Sequence, residues 1–121
     1  MYSNARFEYL YRDASNYKFW GSVVFANPST MSLEEVEERI TRSLDSQELF
    51  IASQIRLPEI FPFEIGKPTE DDHCYHEFAS IKPTMEDSND LYGRSLTQFV
   101  EEVESAAFHG WRAFDPRHVR R

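Results

Sequence analysis

The first part of the chain alternates aromatic and polar residues with a period of two. In the stretch 5–12, Phe7, Tyr9 and Tyr11 occupy every second position, so their rings share one face of an extended chain. A short polar turn follows, and the stretch 17–26 is rich in aromatic and β-branched side chains. The pattern predicts two antiparallel strands joined as a hairpin.

Two later segments place apolar residues at intervals of three and four, which predicts amphipathic helices. The first is predicted over about 33–45, where Ser32 and Glu35 can form a capping box. The second follows Ser95 and ends near position 109. The remaining helix positions are largely acidic, which is typical of a solvated helix face.

Two more strands are predicted at 49–55 and 73–81, where apolar and β-branched residues recur. The segment between them contains Pro58, Pro62 and Pro68, which exclude a long regular element. This segment is also rich in apolar residues. It is therefore predicted to be a loop that packs against the domain, not a free linker.

The predicted order of elements is β-β-α-β-β-α. We expect an α+β fold of two layers, in which an antiparallel sheet has two helices packed on one face. Residues 1–114 would form this single α+β domain, and residues 115–121 a short basic C-terminal tail. Phe19, Trp20 and Phe25 lie near one predicted edge of the sheet, and a homodimer would cover this apolar surface.

Composition and charge narrow the function classes. The chain has 121 residues, of which 40% are hydrophobic and 15% aromatic, enough for the core of one domain. Its formal net charge of -8 argues against a general nucleic-acid binder. A single cysteine excludes an internal disulfide, and no apolar run approaches the roughly 20 residues of a membrane span. We predict a cytoplasmic protein with neither a nucleic-acid nor a membrane partner.

The stretch 71–78 concentrates reactive residue types, including His73, Cys74 and His76. On a strand, His73 and His76 point to opposite faces and cannot converge on one metal ion. Cys74 and His76 share a face, but neighbours on one face are not aimed at each other as a nucleophile and its base must be. We therefore expect no metal site, no catalytic thiol and no cofactor. One histidine should pack inside with its nitrogens hydrogen-bonded, and the other should be solvated.

Arginines lie at predicted ends of strands and helices, where the rim of a pocket forms; they are Arg12, Arg56, Arg94 and Arg112. The planar guanidinium can donate two parallel hydrogen bonds to a phosphate. Each arginine has an alternative role in a surface ion pair with one of the 21 acidic residues. Asn16 lies in the turn after Arg12 and joins it as a candidate rim residue. Phe78 could stack on a base, although a place in the core is the simpler expectation.

Three segments, YRDASNYK at 11–18, FIA through LP at 50–58 and DHCYHEF at 72–78, resemble small phage and prophage proteins. They resemble the sponge-type Thoeris anti-defence proteins, over about residues 6–108. The resemblance implies a protein that is not an enzyme. It would sequester a cyclic ADP-ribose isomer made by a bacterial TIR-domain enzyme, in the cytoplasm of the host bacterium, and so block anti-phage defence.

The resemblance also implies a binding mode. In this family arginines grip the pyrophosphate and an aromatic ring stacks on adenine, in pockets near the interface of a homodimer or higher homo-oligomer. The ligand-binding positions implied by the resemblance are Arg56, Phe78, Asn89 and Arg112.

Two other functions remain open from the residues. The span 59–90 has nine Asp or Glu against two Lys, which favours a small immunity or antitoxin-like protein that binds a protein partner through an acidic surface. A hydrolase of the same signal would instead use His73, Cys74 or His76.

Overall fold

A computed structural model describes residues 4–13, 15–61 and 73–116 of the chain. The elements are strands β1 (Asn4–Arg12) and β2 (Lys18–Ala26), helix α1 (Leu33–Ser43), strands β3 (Leu49–Phe50) and β4 (His76–Thr84), and helix α2 (Leu96–His109). A 3-10 helix, Ala52–Ile55, lies between β3 and β4. The four strands form one antiparallel sheet in the order β2-β1-β4-β3.

Strand β1 lies in the middle of the sheet and carries the core. Phe7 pairs with Val23 on β2 and with Ile81 on β4, and all three side chains are buried on the same face. The same cluster contains Val36 of α1 and Phe99 of α2, so both helices cover this one face. Full burial of such a side chain contributes about 1.5–3 kcal/mol, which explains why the alternating pattern of β1 organises the fold. The predicted α+β class, with an antiparallel sheet and two helices, is confirmed.

The predicted strand at 49–55 is wrong in extent. Only Leu49 and Phe50 pair as a strand; Ile51 is still extended, and Ala52–Ile55 forms the 3-10 helix. The reason is that Ile51, Ala52 and Ile55 are all buried. A short apolar run of this kind fits a buried strand and a buried helical turn equally well, so its periodicity does not distinguish them.

The predicted strand at 73–81 begins and ends later than expected. Strand β4 starts at His76 and continues through Pro83 to Thr84. Proline is tolerated there because β3 pairs only with His76 and Glu77, which leaves the second half of β4 with one neighbouring strand. The register with β1 shifts beside Tyr9, which pairs with Phe78 while its neighbour Glu8 pairs with Ser80.

The predicted capping box is complete at α2, and at α1 only one of its two bonds is present among the described residues. The capping box at α2 is complete, because Ser95 Oγ accepts from Gln98 N at 3.2 Å and Gln98 Oε1 accepts from Ser95 N at 2.9 Å. At α1, Ser32 Oγ accepts from Glu35 N at 3.4 Å. Most of the predicted proline-rich loop, 62–72, and most of the predicted basic tail, 117–121, lie outside the described residues.

Candidate functional site

Arg56 follows the 3-10 helix in a left-handed backbone conformation, with φ 54° and ψ 40°. This conformation is uncommon for a residue other than glycine and is kept only where the surroundings hold it. Here the amide of Leu57 donates to the carbonyl oxygen of Ala52 at 3.0 Å, and the carbonyl oxygen of Arg56 accepts from Arg94 Nη2 at 3.0 Å. The turn therefore fixes the point from which the Arg56 side chain extends.

Two surface cavities share Arg56, Pro58 and Leu91 in their walls. The first has a volume of about 280 Å3, and Tyr92 completes its wall together with Ser53, Leu57 and Glu59. The second has a volume of about 240 Å3 and is also lined by Ser22, Val23, Asn89 and Asp90. The fold thus brings together two of the candidate ligand-binding residues, Arg56 and Asn89.

Arg56 is paired with a carboxylate of α2. Its Nε donates to Glu102 Oε2 at 2.9 Å and its Nη2 donates to Glu102 Oε1 at 2.6 Å. The guanidinium also lies over the exposed ring of Tyr92, 4.6 Å from the ring centre. The hydrogen bonds from Arg56 hold the pKa of Glu102 below its ordinary value, so the carboxylate is charged at neutral pH.

Arg94 is not a rim residue. Its side chain is buried, and its Nε and Nη2 donate to the two carboxylate oxygens of Asp90 at 3.0 and 2.9 Å. Its Nη1 donates to the carbonyl oxygen of Ile55 at 2.7 Å and lies 3.2 Å from Glu102 Oε1. Arg94 therefore ties the loop before α2 to the 3-10 helix, and so fixes the walls of both cavities.

Two further groups position these walls. Asn89 Oδ1 accepts from Val24 N at 2.8 Å, and Asn89 N donates to Val24 O at 3.0 Å, so Asn89 extends the edge of the sheet beside β2. The hydroxyl of Tyr9 donates to the carbonyl oxygen of Pro58 at 2.7 Å, and burial raises the pKa of this phenol. The cavities are thus anchored to the rigid strands β1 and β2.

Arg12 and Asn16 lie together at the far end of the hairpin, and neither lines these two cavities. Arg12 Nη1 donates to Asn16 Oδ1 at 2.7 Å, and Arg12 Nε donates to Glu77 Oε2 at 2.9 Å. The structure brings the two candidates into contact with each other, in an ion-paired cluster between β1 and β4.

Phe78 and Arg112 lie elsewhere. The ring of Phe78 packs against the core, with its centre 5.4 Å from that of Phe7. Arg112 is exposed, and its backbone nitrogen donates to Gln54 Oε1 at 2.6 Å. It lines a third cavity of about 230 Å3, which Glu102 also lines. Arg112 therefore shares a cavity with Glu102 and lines neither of the first two cavities.

The two histidines of the reactive stretch are both held by the protein. His76 is fully buried; its Nε2 accepts from Ile60 N at 3.1 Å, and its Nδ1 has no hydrogen-bond partner among the described residues. Burial lowers the pKa of His76 to about 4. His73 is partly exposed, so the predicted solvation is met only in part; its Nε2 lies 2.9 Å from Arg12 O and its Nδ1 accepts from Tyr75 N at 3.1 Å. The prediction that one histidine is buried is correct for His76, but only one of its two ring nitrogens is hydrogen-bonded among the described residues.

Cys74 is also buried, and its Sγ accepts a hydrogen bond from Phe114 N at 3.3 Å. Burial raises the pKa of this thiol, so it stays protonated at neutral pH. Within residues 4–13, 15–61 and 73–116, no group of three or more His, Cys, Asp or Glu residues could hold a metal ion. In the same part of the chain, no helix has the length and apolar character needed to cross a membrane.

Tyr92 and Glu102 are the residues of this site that the sequence did not reveal. Tyr92 is the aromatic residue of a largely polar loop. Its position directly before Gly93 and the cap of α2 is the one sequence signal that could have marked it. Glu102 is one of several glutamates on α2, and nothing in the sequence distinguishes it from its neighbours.

Comparison with known proteins gave no match: no family model fits the chain, and neither a curated protein nor a solved structure matches it significantly.

Proposed function

We propose that the protein is a non-catalytic binding protein that sequesters a cyclic nucleotide immune signal. The signal would be a cyclic ADP-ribose isomer made by a bacterial TIR-domain enzyme, and its removal would block anti-phage defence. One observation carries the proposal. Arg56 and Asn89, which come from distant parts of the sequence, share a cavity wall beside the exposed ring of Tyr92.

The groups around Arg56 suit the parts of a nucleotide. A guanidinium binds phosphate through parallel hydrogen bonds, a tyrosine ring stacks on a base, and a carboxamide such as that of Asn89 recognises a base or ribose edge. The two cavities have volumes of about 280 and 240 Å3. Each is smaller than a typical ligand site of roughly 300–1,000 Å3, so a dinucleotide-sized ligand would span both.

Sequestration requires binding without turnover, and the reactive residues do not line these cavities. Cys74 and His76 are buried among other residues, and neither is part of the walls around Arg56. A protein of this kind acts by mass action, because each bound ligand is withdrawn from the pool that activates the effector. This favours a binder over a hydrolase of the same ligand.

Self-association through the edge of β2 is part of the proposal. Both backbone groups of Val24 point away from β1, toward Asn89, and by the period of two those of Trp20 and Ser22 point outward as well. Trp20 is 61% exposed, and Tyr17 and Phe19 beside it are also exposed. A second copy of β2, antiparallel to the first, would bond to these outward-pointing backbone groups and cover the rings.

The test follows the fate of the ligand. The protein is mixed with cyclic ADP-ribose and its linkage isomers, separated from free ligand and heat-denatured, and the released compound is identified by mass spectrometry. Intact released ligand supports sequestration. Altered ligand indicates the hydrolase, and no retained ligand favours a protein partner; either outcome contradicts the proposal.

A further inference from the structure

The Arg56–Glu102 ion pair joins a residue of the first two cavities to a residue of the third. Arg56 lines the first two cavities and Glu102 lines the third. The two carboxylate oxygens of Glu102 accept from Nε and Nη2 of Arg56 at 2.9 and 2.6 Å. These two nitrogens form the edge of the guanidinium that matches a carboxylate or a phosphate. Glu102 therefore occupies the donors that a phosphate would use.

We propose that Glu102 is an internal competitor for Arg56, and that a phosphate-bearing ligand binds by displacing its carboxylate. The proposal rests on the proposed function and deepens it, because it names a residue that sets affinity and specificity. Binding exchanges one anion for another at the same donors. A phosphate or pyrophosphate with more negative charge and more acceptor oxygens than a carboxylate gains from this exchange, whereas a singly charged ligand does not.

Arg94 makes the displacement possible. Its Nη1 lies 3.2 Å from Glu102 Oε1, so the carboxylate keeps a cationic neighbour when Arg56 turns away. Without such a neighbour, a partly buried carboxylate would lose its compensation and the exchange would be costly. Arg94 itself stays in place because Asp90 holds its guanidinium through both carboxylate oxygens.

Arg56 also offers a first point of contact. Its ion pair with Glu102 uses Nε and Nη2, and Nη1 has no protein acceptor among the described residues. The side chain is 46% exposed, so an incoming phosphate can reach Nη1 before the carboxylate leaves. Tyr92 lies against one face of the guanidinium and does not occupy its donor edges.

The experiment measures binding of inorganic pyrophosphate by isothermal titration calorimetry to the full chain and to Glu102→Gln. The variant should bind about tenfold more tightly, because a neutral amide competes less well for a guanidinium than a carboxylate does. The gain should vanish when Arg56→Ala is added. Glu104→Gln is the matched control, because Glu104, on α2 like Glu102, makes the same two-oxygen pair with Arg39 of α1, at 3.0 and 2.7 Å.

Unchanged or weaker pyrophosphate binding by Glu102→Gln overturns the proposal, as does a gain that survives Arg56→Ala or the absence of binding by both proteins. Failure of the proposed function would be distinguishable, because no variant would then retain a cyclic ADP-ribose isomer even if Glu102→Gln gained pyrophosphate affinity. If Glu102→Gln does not fold, titration of the unaltered protein followed by arginine Nε resonances replaces it. Pyrophosphate should shift the Nε resonance of Arg56 and leave that of Arg39 in place, and an unmoved Arg56 resonance contradicts the proposal.

Discussion

The buried imidazole of His76 accepts a hydrogen bond from the backbone nitrogen of Ile60, at 3.1 Å. The bond requires an unprotonated Nε2, so folding favours the neutral form of the His76 imidazole. Ile60 follows Pro58 and Glu59, which line the first cavity, and Ile60 itself packs against the core. One hydrogen bond therefore links the protonation of a core residue to the position of a cavity wall.

Acid should destabilise the protein through His76. Burial lowers the pKa of His76 from 6.5 to about 4, so between these values the unfolded chain binds a proton that the folded chain does not. His76 does not affect the free energy of unfolding at a pH above its pKa in the unfolded chain. The free energy of unfolding falls as the pH drops below that pKa. The loss in free energy of unfolding should reach about 3 kcal/mol when the pH nears the pKa of His76 in the folded protein, because each pKa unit corresponds to roughly 1.36 kcal/mol.

Urea unfolding at a series of pH values checks this prediction. His76→Gln keeps an acceptor for Ile60 N but does not titrate, so its stability should change less with pH across the same window. Equal slopes for the two proteins would show that another group causes the loss.

Arg94→Met should be strongly destabilising. The substitution removes a buried cation whose partner Asp90 is equally buried, with 4% of each side chain exposed. Breaking such a pair leaves an uncompensated carboxylate, which costs about 3–5 kcal/mol. Chemical denaturation measures the loss, and the double variant Arg94→Met with Asp90→Leu should recover part of it. A loss no larger than that of an exposed pair would contradict the structural role of Arg94.

Trp20→Lys should prevent self-association through the edge of β2. A charge at position 20, on the outer edge of β2, would have to be buried against its own copy, which an edge-to-edge dimer does not tolerate. Light scattering coupled to size exclusion should show a dimer for the unaltered protein and a monomer for the variant. Phe108→Lys is the control, because Phe108 is 87% exposed on α2, away from β2, and should leave the dimer intact. A monomer before substitution, or a dimer after it, would contradict this interface.

The hairpin and both helices could be predicted because their signals are local. The alternation of Phe7, Tyr9 and Tyr11 and the capping box of Ser95 with Gln98 depend on neighbours in sequence. The 3-10 helix at Ala52–Ile55 could not be predicted, because a short buried apolar run fits more than one backbone conformation.

The candidate site was predictable only in part. The position of Arg56 at the end of an element, together with the resemblance, predicts Arg56 and Asn89 as ligand-binding residues, and these two residues share a cavity. The partner of Arg56 depends on tertiary structure: Glu102 is 46 positions away and has the same local pattern as other glutamates on α2. The same reasoning predicts Arg94 at the rim, but Arg94 is buried through contacts with Asp90 and Ile55 that form only in the folded chain.

The central claim is that Arg56 binds the sequestered ligand, and one comparison tests it most directly. Retention of cyclic ADP-ribose isomers after gel filtration is measured for the unaltered protein, for Arg56→Ala and for Arg39→Ala. Arg39 makes a matching pair with Glu104 and lines neither cavity around Arg56, so its loss controls for the removal of an ion pair to α2. We expect Arg56→Ala to lose retention with little change in melting temperature and Arg39→Ala to keep it. Equal retention by all three proteins would contradict the account.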